Sequence, residues 1–455
     1  MPTQVEPAAR IRSAVHIRSA VVESSVALPA VRFRSAMVGP GMRLHLLPTD
    51  RFTTTLVRVV LHRDLGAEAT ATSLLSAVLE SATETHPTRE ALAHRLADLY
   101  GAGLDVGVDK LGDRQLLTAS LDWPSRGLPG RGASLGDGLS FLREVLTCPK
   151  RGTGGALDGD LVETERTNLA RSLEALKNEK GRYAARRCLE AACKGEAYAI
   201  DPEGRLEDLP AATPRSLADL HTRLLATAPV EIFVAGDVGW ADAKAAVSKH
   251  LLWKGRARTQ AVVPPPSSAH AARTKPLRIV EKDAVSQGKL AMAFRSPITA
   301  QSPLVPAALV LAGVLGGTVV SRFFKVVRET HGLCYYASAG WARAKGLMLV
   351  QSGVEPKNEK KARTLMLRLF REVSSGQLDA QAFEAVREAA KSRIAAMRDE
   401  RGLSIAYAHE MAAYGLSPRP EDHLAALLAV TPADVRRAGK AIALDTTFFL
   451  TSETA

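Results

Sequence analysis

The sequence predicts an α+β fold of two homologous domains, each a mostly antiparallel sheet covered by helices, joined by a Pro-rich linker. Three observations support this prediction. The chain has 455 residues, more than a single hydrophobic core usually serves. A stretch with three consecutive prolines, at residues 254–276, divides it into two parts. Each part begins with strand-like apolar segments and continues with long helical patterns.

The composition is that of a globular protein, with 46% hydrophobic and 24% charged residues. The net charge of +12 is spread along the chain, and aromatic residues make up only 5%. Because nucleic-acid binding surfaces concentrate basic and aromatic side chains, we expect no nucleic-acid partner. The four cysteines include no Cys-x-x-Cys pair, which favours a reducing, cytoplasmic location.

Four segments follow from these signals. The first 40 residues carry five arginines and two acidic residues, so residues 1–39 are predicted to be a basic, disordered arm, with a targeting segment as the alternative. Residues 40–253 form the predicted N-terminal domain, residues 254–276 the linker, and residues 277–455 the C-terminal domain. The apolar stretch 304–320 contains proline and a Gly-Gly pair, so we predict a buried helix there and no membrane span.

The two predicted domains repeat the same order of elements. Each has two strands, then a helical region, a strand pair and further long helices. In the first domain these are strands 42–47 and 53–61, the pair 104–108 with 115–121, and a helix over 159–193. In the second they are strands 277–280 and 289–294, the pair 334–339 with 347–352, and helices over 357–372 and 380–397.

The ends of the two predicted domains match most clearly. Thr213 followed by Pro214 begins a helix that leads to the apolar strand 230–234, and Thr431 followed by Pro432 begins a helix that leads to strand 447–451. Threonine before proline is typical of a helix N-cap with proline in the first turn. The shared ending indicates an internal duplication.

Common catalytic signatures are missing from the sequence. It contains neither Gly-x-x-x-x-Gly-Lys-Ser/Thr nor Gly-x-Ser-x-Gly. No two of the eleven histidines lie four residues apart, the spacing at which one helix presents two ligands to a metal. A metal site built from these histidines would need assembly from distant parts of the chain, so we predict no metal site.

One stretch in the second half is chemically specific. Residues 315–324 (LGGTVVSRFF) are followed by residues 327–336 (VRETHGLCYY). This pattern resembles the second-half motif of the insulinase/pitrilysin-type zinc peptidases, in which Gly-Gly-x-x-x-Ser-Arg-Leu-Phe leads into Val-Arg-Glu-x-x-Gly-Leu-Ala-Tyr. The resemblance covers about residues 40–455 and implies the family fold of two homologous α+β domains.

The resemblance also shows where the family's zinc ligands would lie. Active members carry the inverted motif His-x-x-Glu-His shortly before a Gly-Thr-Glu-x-x-Pro segment, which corresponds to residues 82–87 here. Ser73 and Ala77 occupy the two histidine positions, and Ser76 occupies the general-base position. The third ligand, seven residues after the Glu165 position, is Ser172. Neutral hydroxyls are poor zinc ligands, so the resemblance implies no catalytic residue and no zinc in this chain.

Arg328 and Tyr335 match the Arg/Tyr pair that the family uses to bind substrate beside the zinc. A guanidinium can donate to a substrate carbonyl, and a phenol can donate to the oxyanion that forms there. Because side chains alternate along a strand, Tyr336 is expected on the opposite face from Tyr335.

The resemblance therefore implies a chain that is not an enzyme on its own. It is similar to the zinc-less subunits of heterodimeric members of this family, whose partner is a zinc-bearing subunit and whose substrates are peptides. The alternative is a non-proteolytic scaffold or peptide-binding protein of the same fold, since fold does not fix function.

Overall fold

The computed structural model describes residues 31–125, 133–257 and 269–452, which form two β-sheets with helices on both faces. Residues 1–30 of the predicted arm and residues 258–268 of the predicted linker lie outside the described residues. Within the described ranges, the predicted α+β class with two mostly antiparallel sheets is confirmed.

The first sheet has six strands in the order β1–β2–β6–β3–β5–β4, in which β2 and β6 are parallel and the other neighbours antiparallel. The strands are β1 (Arg34–Gly39), β2 (Met42–Pro48), β3 (Thr54–Asp64), β4 (Gly103–Leu111), β5 (Arg114–Pro124) and β6 (Val230–Gly236). The helices of this half are α1 (Ala69–Ser81), α2 (Arg89–Asp98), α3 (Leu135–Thr147), α4 (Gly159–Ala175), α5 (Lys180–Ala192), α6 (Pro214–Thr227) and α7 (Trp240–Ala246).

The second sheet has five strands in the order β7–β11–β8–β10–β9. The strands are β7 (Leu277–Lys282), β8 (Gly288–Arg295), β9 (Cys334–Ala342), β10 (Leu347–Val354) and β11 (Ala443–Thr451). The helices are α8 (Val305–Gly316), α9 (Glu359–Ser374), α10 (Ala380–Ala396), α11 (Arg401–Ala413), α12 (Pro420–Leu428) and α13 (Pro432–Lys440).

Both sheets insert their last strand in the same place. β6 lies between β2 and β3, and β11 lies between β7 and β8; each is parallel to the first neighbour and antiparallel to the second. The preceding helices α6 and α13 both begin with a capping box, in which Thr213 or Thr431 accepts a hydrogen bond from the third helical amide. This common plan agrees with the predicted duplication.

Strand β1 corrects the predicted extent of the arm. Residues 34–39 pair antiparallel with β2, so the disordered arm predicted to reach residue 39 is wrong for this strand. The connection contains Pro40 and Gly41, and Gly41 has φ +62°. Proline followed by a glycine with positive φ is the arrangement that a type II turn requires, and it allows the chain to reverse within two residues.

The two halves exchange helices. The helix predicted over residues 159–193 is interrupted by a 3₁₀ turn at Leu176–Asn178, after which α5 packs on the second sheet. There Cys188 lies in one apolar cluster with Phe448. In return, Ile405 of α11 lies in a cluster with Phe233 of the first sheet. We call the sheet face covered by the other half's helix the inner face; the outer face packs on helices of its own half.

A buried ion cluster joins the halves beside these helices. Lys345 is fully buried, and its Nζ lies 2.8 Å from a Glu196 carboxylate oxygen and 3.3 Å from Oδ1 of Asp113. Arg295 also donates to Glu196 at 2.6 and 3.0 Å. Burial alone would raise the pKa of Glu196, but these two cations hold it below its ordinary value. The cluster is thus a charged contact whose members come from both halves.

The apolar stretch 304–320 contains the buried helix α8, as predicted, and the helix ends at Gly316. Its last residue, Gly316, lies against β9, where a Cβ atom would be 2.4 Å from the backbone nitrogen of Ala339. Glycine therefore allows the helix to approach this strand closely. A search of the described residues finds no helix with the length and apolar character needed to cross a membrane.

Candidate functional site

Helix α1 carries the first three positions of the family's zinc motif. Ser73 and Ser76 are buried, and the Ser76 hydroxyl donates to the Ser73 carbonyl at 2.7 Å. Ala77 is half-buried and offers no donor atom. These side chains do not fit a zinc ion, because they supply neither imidazole nor carboxylate.

Helix α4 carries the position of the third ligand. Ser172 is exposed on this helix. Glu165, two turns earlier, is buried and accepts hydrogen bonds from Ser81 at 2.8 Å, Arg89 at 2.6 Å and Asn168 at 3.1 Å. Burial alone would raise the pKa of Glu165, but these hydrogen bonds hold it below its ordinary value. Glu165 therefore connects α4 to the end of α1, and both of its carboxylate oxygens accept hydrogen bonds in this contact.

Arg328 lies on a short π-helix, Phe323–Thr330, between α8 and β9. Phe323 and Val327 of this segment are buried in the outer core, which leaves Arg328 at the surface. Its guanidinium carbon lies 4.5 Å from the centre of the Phe324 ring, and its Nε lies 3.5 Å from Oε1 of Glu329. The guanidinium thus lies over an aromatic ring, while the Arg328 side chain stays 42% exposed.

Strand β9 begins with a β-bulge at Tyr335. Cys334 pairs with Val354 and Tyr336 pairs with Gly353, so Tyr335 is the extra residue. Cys334 and Ala337 both pack in the outer core, whereas Tyr336 reaches α5 on the inner face. The bulge interrupts the regular alternation on which the expectation for Tyr335 and Tyr336 depends, so their opposite facing stays a prediction.

The two tyrosines have different surroundings. Tyr335 is 62% exposed. Tyr336 reaches α5, where its hydroxyl would lie 3.4 Å from a Cβ at Gly181, and Nζ of Lys289 lies 5.6 Å from its ring centre. Burial raises the pKa of Tyr336. Gly181 and Lys289 also line a cavity of about 540 Å³ between the start of α5 and the β7–β8 turn. Tyr335 thus lies in solvent, whereas Tyr336 is 38% exposed and lies beside two residues that line this cavity.

Among the described residues, strands β4 and β9 each pair with a neighbour on one side only. The strand orders place β4 at one edge of the first sheet and β9 at one edge of the second. Edge strands present unpaired backbone groups that can pair with an extended peptide. Tyr335 thus lies on an edge strand, and Arg328 lies on the segment that leads into it.

A second polar constellation was missed by the sequence analysis. His62 of β3, Glu231 of β6 and His409 of α11 are buried, and one ligand atom of each lies within 4.8 Å of the others. His45 of β2 lies beside them, with its Nε2 3.7 Å from Oε1 of Glu231. The sequence does carry a signal, because Glu231 interrupts the apolar run 230–234, where a fully buried strand has no place for an unpaired charge.

The protonation states in this cluster follow from burial and neighbours. Burial, aided by the neighbouring His62, lowers the pKa of His409 to about 3, so the imidazole is neutral at physiological pH. Burial alone would raise the pKa of Glu231, but the facing imidazoles of His45 and His62 hold it below its ordinary value. The cluster therefore combines an ionised carboxylate with a neutral imidazole.

Comparisons with known proteins agree with this description. Residues 211–390 match the family described as Peptidase M16 inactive domain. A probable inactive metalloprotease, YmfF of Bacillus subtilis (strain 168), is 29% identical over 414 residues, which cover 90% of this chain and 96% of that protein. Both matches are to inactive members or relatives of the M16 peptidases, which confirms the predicted resemblance.

Solved structures show the same fold over nearly the whole chain. A conserved protein from Enterococcus faecalis V583 has a TM-score of 0.84 and 26% sequence identity, and the match covers 93% of this chain and 99% of that one. A peptidase M16 inactive domain from Pseudomonas fluorescens has a TM-score of 0.74 and 17% identity, with 93% and 99% covered. At 17% identity, the second likeness concerns the fold alone.

Proposed function

We propose that this chain is the non-catalytic subunit of a heterodimeric zinc metallopeptidase, in which it binds peptide substrates beside the zinc of a partner from the same family. One observation carries the proposal: Arg328 and Tyr335 are exposed next to an edge strand, while Ser73, Ser76 and Ala77 fill the zinc-motif positions of α1. A chain with this arrangement has substrate-binding groups and no zinc chemistry of its own.

Each group has a distinct role in this proposal. The Arg328 guanidinium donates to a backbone carbonyl of the substrate, and the Tyr335 hydroxyl donates to the oxyanion that develops during attack. Strand β9 pairs with the extended peptide through its free edge. The four cysteines, none of which forms a disulfide, support a reducing compartment such as the cytoplasm.

A peptide-binding protein without proteolytic activity is the second candidate. It is supported by the cavity beside Tyr336, which offers space for a peptide side chain on this chain alone. The two candidates differ in what the partner complex does to a bound peptide: only the first predicts cleavage that depends on Arg328 and Tyr335.

The test is peptide cleavage by this chain reconstituted with a zinc-bearing homologue. Tyr335→Phe removes one hydroxyl, and the loss of one oxyanion donor typically lowers the rate by ~10²–10³-fold. Arg328→Ala should weaken both peptide binding and turnover. Size-exclusion chromatography verifies that each variant still assembles with the partner.

The matched control is Tyr100→Phe, since Tyr100 is also an exposed tyrosine and lies outside the β9 region. Tyr336→Phe is unsuitable as a control because Tyr336 adjoins Tyr335 in the chain and lies beside the cavity residues Gly181 and Lys289. If Tyr335→Phe and Arg328→Ala both assemble and cleave at the wild-type rate, the proposed role of this pair is refuted. If the wild-type complex binds peptides without cleaving them, the heterodimeric peptidase is excluded and the second candidate is favoured.

A further inference from the structure

The buried cluster of His62, Glu231 and His409 has the spacing of a metal site. Nε2 of His62 lies 3.1 Å from Nε2 of His409, and Oε2 of Glu231 lies 3.8 Å and 3.5 Å from these two nitrogens. Ligands on a tetrahedral zinc ion with bonds of about 2.0–2.1 Å are themselves about 3.3 Å apart. The three atoms are therefore already near the separations that a shared ion would impose.

The hydrogen bonding of the cluster also calls for a cation. Both carboxylate oxygens of Glu231 are buried, and neither has a hydrogen-bond partner among the described residues. The same is true of Nε2 of His45, whose Nδ1 is paired with the Ser35 hydroxyl at 2.8 Å. Buried polar atoms without partners are rare in native proteins, and a bound ion is a recognised explanation for them.

We propose that His62, Glu231 and His409 bind one zinc ion, independently of the proposed peptidase function. Two imidazoles and one carboxylate suit zinc, whereas magnesium and calcium prefer oxygen ligands. His45 lies at the other carboxylate oxygen of Glu231, with Nε2 3.7 Å from Oε1. All three ligands are less than 9% exposed, so no peptide reaches them, and the site is structural.

The ligands come from both halves of the chain. His62 and Glu231 lie on the inner face of the first sheet, and His409 lies on α11, which the second half contributes. His62 and His409 are separated by 347 residues. A zinc ion at this position therefore fastens α11 to the first sheet and holds the two halves together.

The test is the metal content of the full chain, purified without a polyhistidine tag. We expect one zinc per chain by mass spectrometry of the elements. After removal by a chelator, added zinc should bind again and raise the thermal unfolding temperature, whereas added magnesium should not. Cobalt added to the metal-free chain should give the visible absorption of a nitrogen- and oxygen-ligated ion.

Variants identify the ligands. His62→Gln and His409→Gln should each lower zinc affinity by more than the ~10–100-fold typical of losing an outer-shell partner. His94→Gln is the matched control, since the His94 side chain is 78% exposed on α2, and it should keep full zinc content. The proposal is overturned if the wild-type chain takes up no zinc or cobalt in titration, or if both ligand variants bind zinc as the wild type does. The wild-type titrations decide the question even where a variant does not fold.

Discussion

Substitution of Gly316 by alanine tests whether close approach of α8 fixes the position of β9. The added Cβ would lie 2.4 Å from the Ala339 nitrogen and 2.7 Å from the Ser338 carbonyl carbon. Both obstructing atoms belong to the backbone of β9, so no side-chain rotation relieves the contact. Helix and strand must separate by about 1 Å to reach ordinary contact distances, which weakens packing along their interface.

The expected cost follows from two opposing effects. Overpacking in a core typically destabilises by about 1–3 kcal/mol. Replacing glycine by alanine in a helix recovers at most about 1 kcal/mol, and less at the last residue of a helix, where Gly316 lies. Overpacking therefore dominates. Subtracting the helix-propensity gain from the overpacking cost, we expect Gly316→Ala to lower the free energy of unfolding by about 1–2 kcal/mol.

Urea denaturation provides the assay, with the midpoint and slope compared with those of the wild type. Gly402→Ala is the matched control: this glycine lies in α11, and a Cβ there would have no neighbour within 4 Å. That variant should be neutral or slightly more stable, because only the helix propensity changes. If Gly316→Ala is as stable as Gly402→Ala, the contact between α8 and β9 is more compliant than this reasoning allows.

Three further substitutions or measurements test other parts of the fold. Lys345→Met leaves Glu196 without one of its two cations and should cost about 3 kcal/mol in urea denaturation, since breaking a buried pair typically costs ~3–5 kcal/mol; an unchanged midpoint would contradict this. Burial raises the pKa of Cys188 to about 12, so iodoacetamide at pH 8 should modify half-buried Cys148 first, and equal labelling in the native chain would count against the packing. The pKa of Glu165 is lowered from 4.5 in the folded state, so its ionised form stabilises the fold at neutral pH, and this contribution is lost as the pH falls below 4.5. Glu165→Gln should therefore be less stable than the wild type at pH 7, and it should lose less stability than the wild type between pH 7 and pH 4. Equal pH profiles of stability for the two chains would refute this.

Much of the fold could be predicted because its signals are local. Thr213 and Thr431 mark the starts of equivalent helices through their own side chains, and both capping boxes are present. The break at Leu176–Asn178 could not be predicted in the same way, because residues on both sides favour helix. The break is set by the packing of α5 on the second sheet, whose strands come much later in the chain.

The candidate site shows the same limit. Arg328 and Tyr335 were found from a contiguous motif, and both are exposed. The bulge at Tyr335 could not be predicted, since period-two alternation assumes a regular strand and a bulge depends on the partner strand. The cluster around Glu231 was missed because its members lie on four separate elements, and sequence spacing says nothing about such residues.

The exchange of α5 and α11 has a consequence for how the chain acquires its structure. Neither sheet can cover its inner face with helices of its own half alone, so each half is left with an apolar surface until the other has formed. The decisive contacts join residues hundreds of positions apart, and such contacts slow folding because long loops must close first. During synthesis α11 is made long after the strands of the first sheet. Phe233 and its neighbours therefore stay uncovered until α11 has been made. Exposed apolar surface promotes aggregation, so we expect the interval before α11 is available to be the most aggregation-prone stage of synthesis.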